Sequence, residues 1–557
     1  MALAQTSAPL SAVPQGSPLP RVLPPAPTTV APGLQSPEPR RLDQILPGAT
    51  VDVTQAELRG VSAYPPGRFA DLLAPLSGAV EQTRVEEVRA AILSAYRADG
   101  YVFTAVSASL ESGGRLVFTA TEGRIVEVKL DGDIGPAGVQ VLRFLNNLTD
   151  VAPLDVASLE RWLLLAQDVP GITLRTVLRP SAGDPGALSL VAQVSRRRLS
   201  GLATADNRGY SGTGPEQFLA SVSANSFTEY GEHTDATFFY TARSTELFGQ
   251  VSTELFLGAS GLKVRVYAGK GTNDPTGSLG QLGYHGETFI AGTSISYPVV
   301  RRRQETLNLA AFFDALQSHV DTSNAGIATL ASVDNLRVVR LGGDYALRDV
   351  LLGSDRSAVN NIDLKLSKGL QGLGASSQGS KLAGRVGERI GFTKVALEMS
   401  RNQVLFSPYE DATVALQVLA AGQYSGDVLP SAEKFYLGGN RLSRGFYSGE
   451  VTGDRAASLS IEPQLNTSFV TPDAAGAVEV GTQAYVFYDW GETWESQKSD
   501  RNVRIESAGL GVRLFFPQNI EVDVEGVNRF TRRPQGASSN VAALQHSALY
   551  WRLIGRF

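Results

Sequence analysis

The chain ends in Ala548-Leu549-Tyr550-Trp551-Arg552-Leu553-Ile554-Gly555-Arg556-Phe557, an alternating segment that stops on an aromatic residue. Successive side chains of a β-strand point to opposite faces. One face carries Leu549, Trp551, Leu553 and Phe557, and the other carries Arg552 and Arg556. In water such an apolar face must be covered, whereas a barrel in lipid shows it to the membrane and keeps the arginines in its lumen. The last strand of a soluble sandwich is the alternative, and the preceding sequence has to decide between the two.

The composition excludes several classes of protein. A chain of 557 residues predicts two or more folded units, and its charged fraction of 19% is low for a soluble protein. The absence of cysteine excludes disulfide scaffolds and thiolate metal sites, and it fits an oxidising compartment. The net charge of -5 argues against nucleic acid as the main partner.

The sequence offers no transmembrane helix, because it contains no run of about 18 apolar residues. A membrane protein built from this chain must therefore be a β-barrel, the other structure that pairs all its backbone polar groups in lipid.

The first 40 residues differ in amino-acid composition from the rest of the chain. Ala2-Leu3-Ala4 resembles the small-residue end of a signal-peptide cleavage site, so we expect that a leader has been removed. Residues 5–40 hold ten of the 28 prolines, which rules out a sustained helix or a packed core. We expect residues 1–40 to be a flexible segment that acts as a tether or threads the pore.

Two small units that mix helices with strands are predicted next. In the first, the apolar stripe of a helix over 83–98 ends at Gly100, where a helix C-terminal glycine belongs. Strands are predicted over 101–110, 115–121, 126–131, 172–178 and 188–194, and further helices over 139–147 and 155–168. Units of roughly 75 residues are small but plausible independent domains.

From Leu199 onward the helical period gives way to short alternating runs. Apolar side chains oppose charged or polar ones in the runs 262–268, 362–366 and 520–525. About sixteen candidate strands fit the region, an even number as in bacterial single-chain barrels, with roughly 22 residues per strand and connection. Turn-rich connections are predicted at 269–280, 318–335 and 370–384. A soluble double sandwich of this period would bury charged faces or expose apolar ones, so the pattern favours the membrane barrel.

Signatures of catalysis and cofactor binding are scarce. The histidines lie far apart without metal-ligand spacing, at His233, His285, His319 and His546. Gly269-Lys270-Gly271-Thr272 lacks the upstream glycine of a phosphate loop. The acidic pair Glu410-Asp411 fits a solvated turn better than a catalytic dyad. The sequence therefore predicts no enzyme, no cofactor and no metal.

The connection at about 425–457 is distinctive. It contains Phe435-Tyr436-Leu437-Gly438-Gly439-Asn440-Arg441-Leu442-Ser443-Arg444-Gly445-Phe446. Glycine beside Arg444 lets the backbone turn tightly while a fixed cation projects from the tip, and Phe446 can wedge against a wall. A flexible, basic external loop is the alternative.

These residues carry a resemblance to a known family. Leu437-Gly438-Gly439 and Arg444-Gly445-Phe446 in a long loop, followed by Phe487-Tyr488-Asp489 on a strand, resemble the hallmark of the outer-membrane transporter and insertase superfamily. Within it, the chain is similar over residues 50–557 to two-partner secretion transporters of the haemolysin and filamentous-haemagglutinin type. The resemblance implies α+β POTRA domains at 41–124 and 125–198 before a sixteen-stranded transmembrane barrel at 199–557.

The same resemblance implies roles for individual residues. The loop tip, Arg444, Gly445 and Phe446, is expected in the lumen, with Arg444 on Asp489 beside Phe487 and with Glu462 as a second acceptor. An arginine and a carboxylate in a confined lumen form a charge-assisted pair that fixes a loop firmly. Ser443 departs from the apolar residue usual before the arginine. Trp551 and Phe557 are expected to form the C-terminal assembly signal.

The implied function is secretion of one unfolded partner exoprotein, an adhesin, haemolysin or toxin, across the outer membrane of a Gram-negative bacterium without ATP (type Vb secretion). The periplasmic POTRA domains are expected to bind the partner's N-terminal secretion domain. The other expected partners are the lipid bilayer, lipopolysaccharide and, during biogenesis, the barrel-assembly machinery, with the protein itself a monomer. An insertase of the same superfamily and a passive porin are the alternatives. Two POTRA units favour secretion over both.

Overall fold

The computed structural model describes residues 49–132, 135–324, 327–473, 476–497, 500–536 and 542–557. Within them, two small α/β units precede a large closed barrel. The predicted flexible segment at 1–40 and the cleavage site at 2–4 lie outside the described residues. None of the described helices is long and apolar enough to cross a membrane.

The first unit packs one long helix against a three-stranded sheet. Its elements are β1 (Thr50–Val53), β2 (Gln55–Arg59), α1 (Ala70–Leu73), β3 (Gly78–Glu81), α2 (Gln82–Ala98), β4 (Ala105–Glu111) and β5 (Arg115–Thr121). The sheet has the order β2-β5-β4, and β1 pairs with β3 apart from it. The apolar stripe of α2 buries Val88, Ile92 and Tyr96. The strand predicted from Tyr101 is wrong over its first four residues, because a turn closed by Thr104 N–H donating to Tyr101 O at 3.2 Å precedes β4.

The second unit repeats this architecture. Its elements are β6 (Arg124–Asp131), α3 (Ala137–Asn146), a 3-10 turn (Asn147–Asp150), α4 (Val156–Gln167), β7 (Ile172–Pro180) and β8 (Ala187–Arg196). The sheet order is β6-β8-β7 with β6 parallel to β8. Helix α4 begins after Asp155, whose carboxylate accepts the Ser158 N–H at 2.8 Å. The pattern of apolar residues and caps predicted every helix and strand of this unit to within two residues at each end.

A closed barrel of sixteen antiparallel strands follows. Its strands, with a short helix α5 (Gly277–Gln281) before the sixth, are β9 (Leu199–Asp206), β10 (Gln217–Asn225), β11 (His233–Thr241), β12 (Glu246–Phe256), β13 (Lys263–Asn273), β14 (His285–Arg301), β15 (Glu305–Asn324), β16 (Ile327–Asp349), β17 (Ala358–Gly369), β18 (Thr393–Phe406), β19 (Thr413–Tyr424), β22 (Arg455–Asp473), β23 (Gly476–Trp494), β24 (Val503–Phe516), β25 (Ile520–Arg529) and β26 (Ser547–Arg556). Strands β20 (Phe435–Leu437) and β21 (Val451–Gly453) pair with each other inside one connection. Strand β26 returns to pair with β9, so the predicted barrel of about sixteen strands is confirmed and the sandwich is wrong.

The terminal segment has the two faces that its alternation predicts. Leu549 is 67% exposed and Phe557 is 64% exposed. Tyr550, which lies between Leu549 and Trp551 in the sequence, is buried. On the inner face the Arg552 guanidinium donates to Glu521 Oε1 at 3.1 Å. The wall is therefore apolar towards lipid and charged towards the lumen.

Two of the predicted connections are wrong. Residues 318–335 were expected to turn, but β15 and β16 stay paired from Gln317 and Asn335 out to Asn324 and Ile327. Strand β13 likewise continues to Asn273 beyond the predicted end at Ala268. Beyond the lipid band both faces of a hairpin meet water. A strand there carries serine, threonine and asparagine on both faces, so its sequence shows no alternation of apolar and polar residues.

The second α/β unit is docked on the end of the barrel where the chain terminates. Arg301 on β14 donates to both carboxylate oxygens of Asp168, at 2.8 Å and 2.7 Å. Phe144 of α3 meets Phe256 edge to face with ring centroids 5.1 Å apart. An ion pair and an aromatic contact on separate turns hold this unit against the barrel opening.

The outer face gives a test of membrane exposure. Leu510 lies mid-strand on β24 and is 64% exposed, so Leu510→Arg should lower the free energy of unfolding by about 2–4 kcal/mol, the cost of an arginine at the bilayer midplane. Leu351 lies in the β16–β17 connection and is 80% exposed, so Leu351→Arg is the matched control and should change little. Denaturant titration in lipid vesicles measures both. Equal losses would contradict a lipid-facing β24.

Candidate functional site

The connection between β19 and β22, residues 425–454, folds into the barrel and is called the inner loop below. Leu437 and Phe446 are fully buried in it, and they pack with Leu419 and Ile505 of the wall. Strands β20 and β21 form a short ribbon that carries the tip, residues 438–450, to the wall of β22–β26. The alternative of a flexible external loop is wrong.

The tip depends on glycines at points of close approach. Gly438 and Gly439 take φ values of 101° and 100°, where L side chains are strained. Gly445 lies so near the wall that an added Cβ would be 2.6 Å from Ser507 Oγ. Ser443 also has a positive φ of 57°, and its small side chain is compatible with that turn. This departure from the family pattern therefore occurs at the sharp bend before the arginine.

Arg444 makes the densest set of contacts at the tip. Its backbone N–H donates to Asp489 Oδ2 at 2.7 Å, and its guanidinium donates to both oxygens of the same carboxylate at 3.1 Å. Further guanidinium bonds go to Glu462 and, at 3.0 Å, to Ser460 Oγ. Asp489 has no exposed surface and Arg444 only 5%. The arginine is thus held by two carboxylates in a site that excludes water, where charge-assisted bonds are strong.

Phe487 completes this contact from the wall. The Arg444 guanidinium carbon lies 3.8 Å from the centroid of the Phe487 ring, a cation–π arrangement. Gly509, opposite Phe487 on β24, leaves space for the ring, since an added Cβ would be 2.6 Å from Phe487 Cζ. Arg444, Glu462, Phe487 and Asp489 therefore lie in one cluster. Beside it, Gly445 lies against Ser507 and Phe446 packs with Ile505.

The predicted assembly signal lies elsewhere. Trp551 and Phe557 are on the lipid face, and Phe557 closes the barrel end with its N–H donating to Gly201 O at 3.0 Å. The structure does not bring them to the inner loop.

Several residues of the cluster were missed by the sequence analysis. Arg513 donates to Glu462 Oε1 at 2.7 Å and lies 3.9 Å from the Tyr485 ring centroid. Arg208, two residues after the end of β9, and Arg529 on β25 bind carbonyls of the tip. The lumen-facing positions of Arg513 and Arg529 in alternating strands were a signal, but every charged lumen residue shares it. Arg208 lies in a connection, which has no such pattern.

The inner loop leaves part of the lumen unfilled on its far side. A cavity of about 580 Å³ lies between it and the wall of β12–β19. Charged pairs line this cavity, including Arg340, which donates to Asp314 Oδ2 at 2.7 Å, and Arg441 with Glu398 on β18. In the described part of the chain no cluster of histidine and acidic side chains could hold a metal ion.

Two small α/β units before a closed sixteen-stranded barrel, with a long inner loop fixed by a buried arginine, are the architecture of POTRA-barrel proteins of the outer membrane. Residues 187–514 match the model of the haemolysin secretion/activation protein family ShlB/FhaC/HecB. This match spans more than half of the chain, which therefore belongs to that family and is a two-partner secretion transporter. Members of the family transport partner exoproteins.

Solved structures show the same fold at low sequence identity. CdiB from Escherichia coli is 17% identical with a TM-score of 0.72, covering 95% of this chain and 94% of its own. CdiB from Acinetobacter baumannii is 14% identical with a TM-score of 0.63, covering 95% of each chain. BamA from Haemophilus ducreyi lacking POTRA domains 1-3 is more distant, at 12% identity and a TM-score of 0.51, covering 91% of this chain and 100% of that one. No curated protein matches the sequence.

The close approach at the tip is testable. Gly445→Ala should lift the tip from β24, because its Cβ would meet Ser507, whereas a Cβ at Gly426 in the same loop meets no atom within 4 Å. The chain has no cysteine, so a Ser443→Cys reporter can be labelled alone. Ser443 is 1% exposed, and we expect slow maleimide labelling that Gly445→Ala accelerates and Gly426→Ala does not. Unchanged labelling with Gly445→Ala would show that the tip tolerates a side chain there.

Proposed function

We propose that this transporter moves an unfolded exoprotein through its lumen without ATP, with folding of the partner outside supplying direction. The observation that carries the proposal is the position of the inner loop. Its tip is held on the β22–β26 wall by Arg444, Asp489 and Glu462, while the cavity remains on the other side. The loop therefore maintains the shape of the passage, and it widens the passage when it moves aside.

Partner capture is assigned to the two N-terminal units, the POTRA domains at 41–124 and 125–198, which lie in the periplasm. In the sheet orders β2-β5-β4 and β6-β8-β7, the outer strands are β2 and β4 in the first unit and β6 and β7 in the second. An extended segment of the partner's N-terminal secretion domain can pair with such an edge or lie in the neighbouring helix–strand groove. The Asp168–Arg301 pair keeps the second unit at the barrel opening, so a captured segment is already beside the lumen.

The cargo is an adhesin, haemolysin or toxin, and a neighbouring reading frame for a large secreted protein with an N-terminal β-helix domain would identify it. The barrel, 199–557, works as a monomer in a bilayer that contains lipopolysaccharide, and it has no catalytic role. Trp551 and Phe557 on the exposed face of the last strand are assigned as the signal read by the barrel-assembly machinery.

Removal of the Arg444 guanidinium should impair export. Arg444→Ala leaves Asp489 buried without a cation, while Glu462 keeps its bond from Arg513. Removing one partner of a buried pair costs about 3–5 kcal/mol. Export of the partner into the medium should fall by about tenfold or more, while the barrel still assembles and shows heat-modifiable mobility on gels. Arg444→Lys keeps the charge but lacks the planar fork, and it should give intermediate export. Wild-type secretion with Arg444→Ala would overturn the role of the loop tip.

Loss of the two capture units should stop export. Deleting residues 50–195 removes both sheets and should abolish export, because no edge strand remains to bind the partner. The remaining barrel should still reach the outer membrane in heat-modifiable form, which separates loss of capture from loss of folding. Persistent export by that barrel would contradict the capture role.

A further inference from the structure

The seam where the last barrel strand meets the first is the shortest pairing of neighbours in this wall. Strands β26 and β9 are in register over five residue pairs, from Arg552 opposite Asp206 to Arg556 opposite Leu202. The adjoining pairings are longer, with eight pairs between β9 and β10 and nine between β25 and β26. One further bonded pair, Gly201 with Phe557, closes the end of the seam.

Side chains extend this seam where the backbone ladder stops. Asn207 follows the last residue of β9, and its amide donates to Leu549 O at 3.1 Å while its carbonyl accepts the Trp551 N–H at 2.9 Å. The Asn207 side chain therefore takes the place of a backbone partner for β26. The next residue, Arg208, crosses the seam on the lumen side.

Arg208 joins the first strand, the last strands and the inner loop in one buried contact. Its guanidinium donates to Glu525 Oε1 on β25 at 2.5 Å and lies 4.2 Å from the ring centroid of Tyr550 on β26. The same guanidinium donates to Arg444 O at 2.9 Å and to Gly439 O at 3.3 Å in the loop tip. Arg208 is 5% exposed, so these contacts form without competing water.

Further hydrogen bonds hold the inner loop from both sides of the seam. The Ser448 N–H in the returning arm of the loop donates to Arg208 O at 3.0 Å. From the last strands, Arg529 donates through Nε to Gly445 O, and the Tyr550 hydroxyl donates to the same carbonyl at 3.3 Å. Consecutive carbonyls of the tip, those of Arg444 and Gly445, are therefore held from the two sides of the seam.

We propose that Arg208 is a positioning residue that couples docking of the inner loop to closure of the β9–β26 seam. With the tip docked, the Arg208 guanidinium donates to the two loop carbonyls and to Glu525 at the same time. The tip then bridges the two sides of the seam. When the tip leaves, Arg208 loses its carbonyl acceptors in the loop, and the seam keeps its short ladder, the Asn207 bonds and the Arg208–Glu525 pair without the support of the tip. Coupling free energies are reciprocal, so a loosened seam also favours an undocked tip. This inference concerns the barrel alone and does not require the proposed export route.

The test is a double-mutant cycle in which the rate of cross-linking across the seam is measured. Ala203 and Gly555 are directly opposite each other, and opposed positions of an antiparallel pair suit a disulfide. In the full chain carrying Ala203→Cys and Gly555→Cys, the rate of oxidative cross-linking in outer membranes measures how long the seam is closed. The cycle combines Gly445→Ala, which undocks the tip, with Arg208→Ala, and heat-modifiable mobility confirms assembly of each variant.

We expect each single variant to slow cross-linking by about fivefold or more, and the double variant to be no slower than Arg208→Ala alone. Arg552→Ala is the matched control, because the Arg552 side chain at the same seam bonds Glu521 and Asp523 of β25. Its effect should multiply with that of Gly445→Ala. Arg208→Lys, which keeps the charge towards Glu525, should restore part of the rate. Independent, multiplying effects of Arg208→Ala and Gly445→Ala would overturn the proposal, as would an unchanged rate with Arg208→Ala.

Discussion

Backbone N–H and C=O groups that cross a bilayer must all be paired, since hydrocarbon offers them no partner. A sheet meets this requirement only by closing on itself, and here β26 returns to β9 to complete sixteen strands. Closure creates a single place where the two ends of the barrel meet, and its ladder is short. The side chains of Asn207 and Arg208 add bonds there that the backbone does not supply. Lumen contacts are therefore part of how the wall stays closed.

Buried charge explains why the inner loop is both well placed and able to move. Arg444 sits between Asp489 and Glu462, and Arg208 beside Glu525. Desolvation of such groups offsets much of their attraction. The net free energy of docking is thus smaller than the number of bonds suggests, while the fork of each arginine still specifies one geometry. This combination fits a loop that shapes a passage in the resting state and moves aside in the proposed transport step.

Local patterns predicted the elements that have one apolar face. Helix α4 and the last strand were placed within two residues of their observed bounds, because a periodic apolar stripe reports which side is buried. The prediction of a turn at residues 318–335 is wrong, because β15 and β16 remain paired there. Both faces of this hairpin are in contact with water, so its sequence has no apolar stripe. Strands β1 to β3 were not predicted, being four or five residues each and too short to show a period.

The alternation of residues along the chain was enough to predict the barrel, its lipid-facing stripe and a count of about sixteen strands. The sequence by itself also determined the motif residues Arg444, Phe487 and Asp489, through resemblance to a family. Only the tertiary structure decided that Arg208 meets Glu525, 317 residues further along the chain, and that both lie beside the loop tip. The reason is that alternation shows only which face of the wall a side chain occupies. Closure and stagger of the barrel then decide which side chains on that face come into contact.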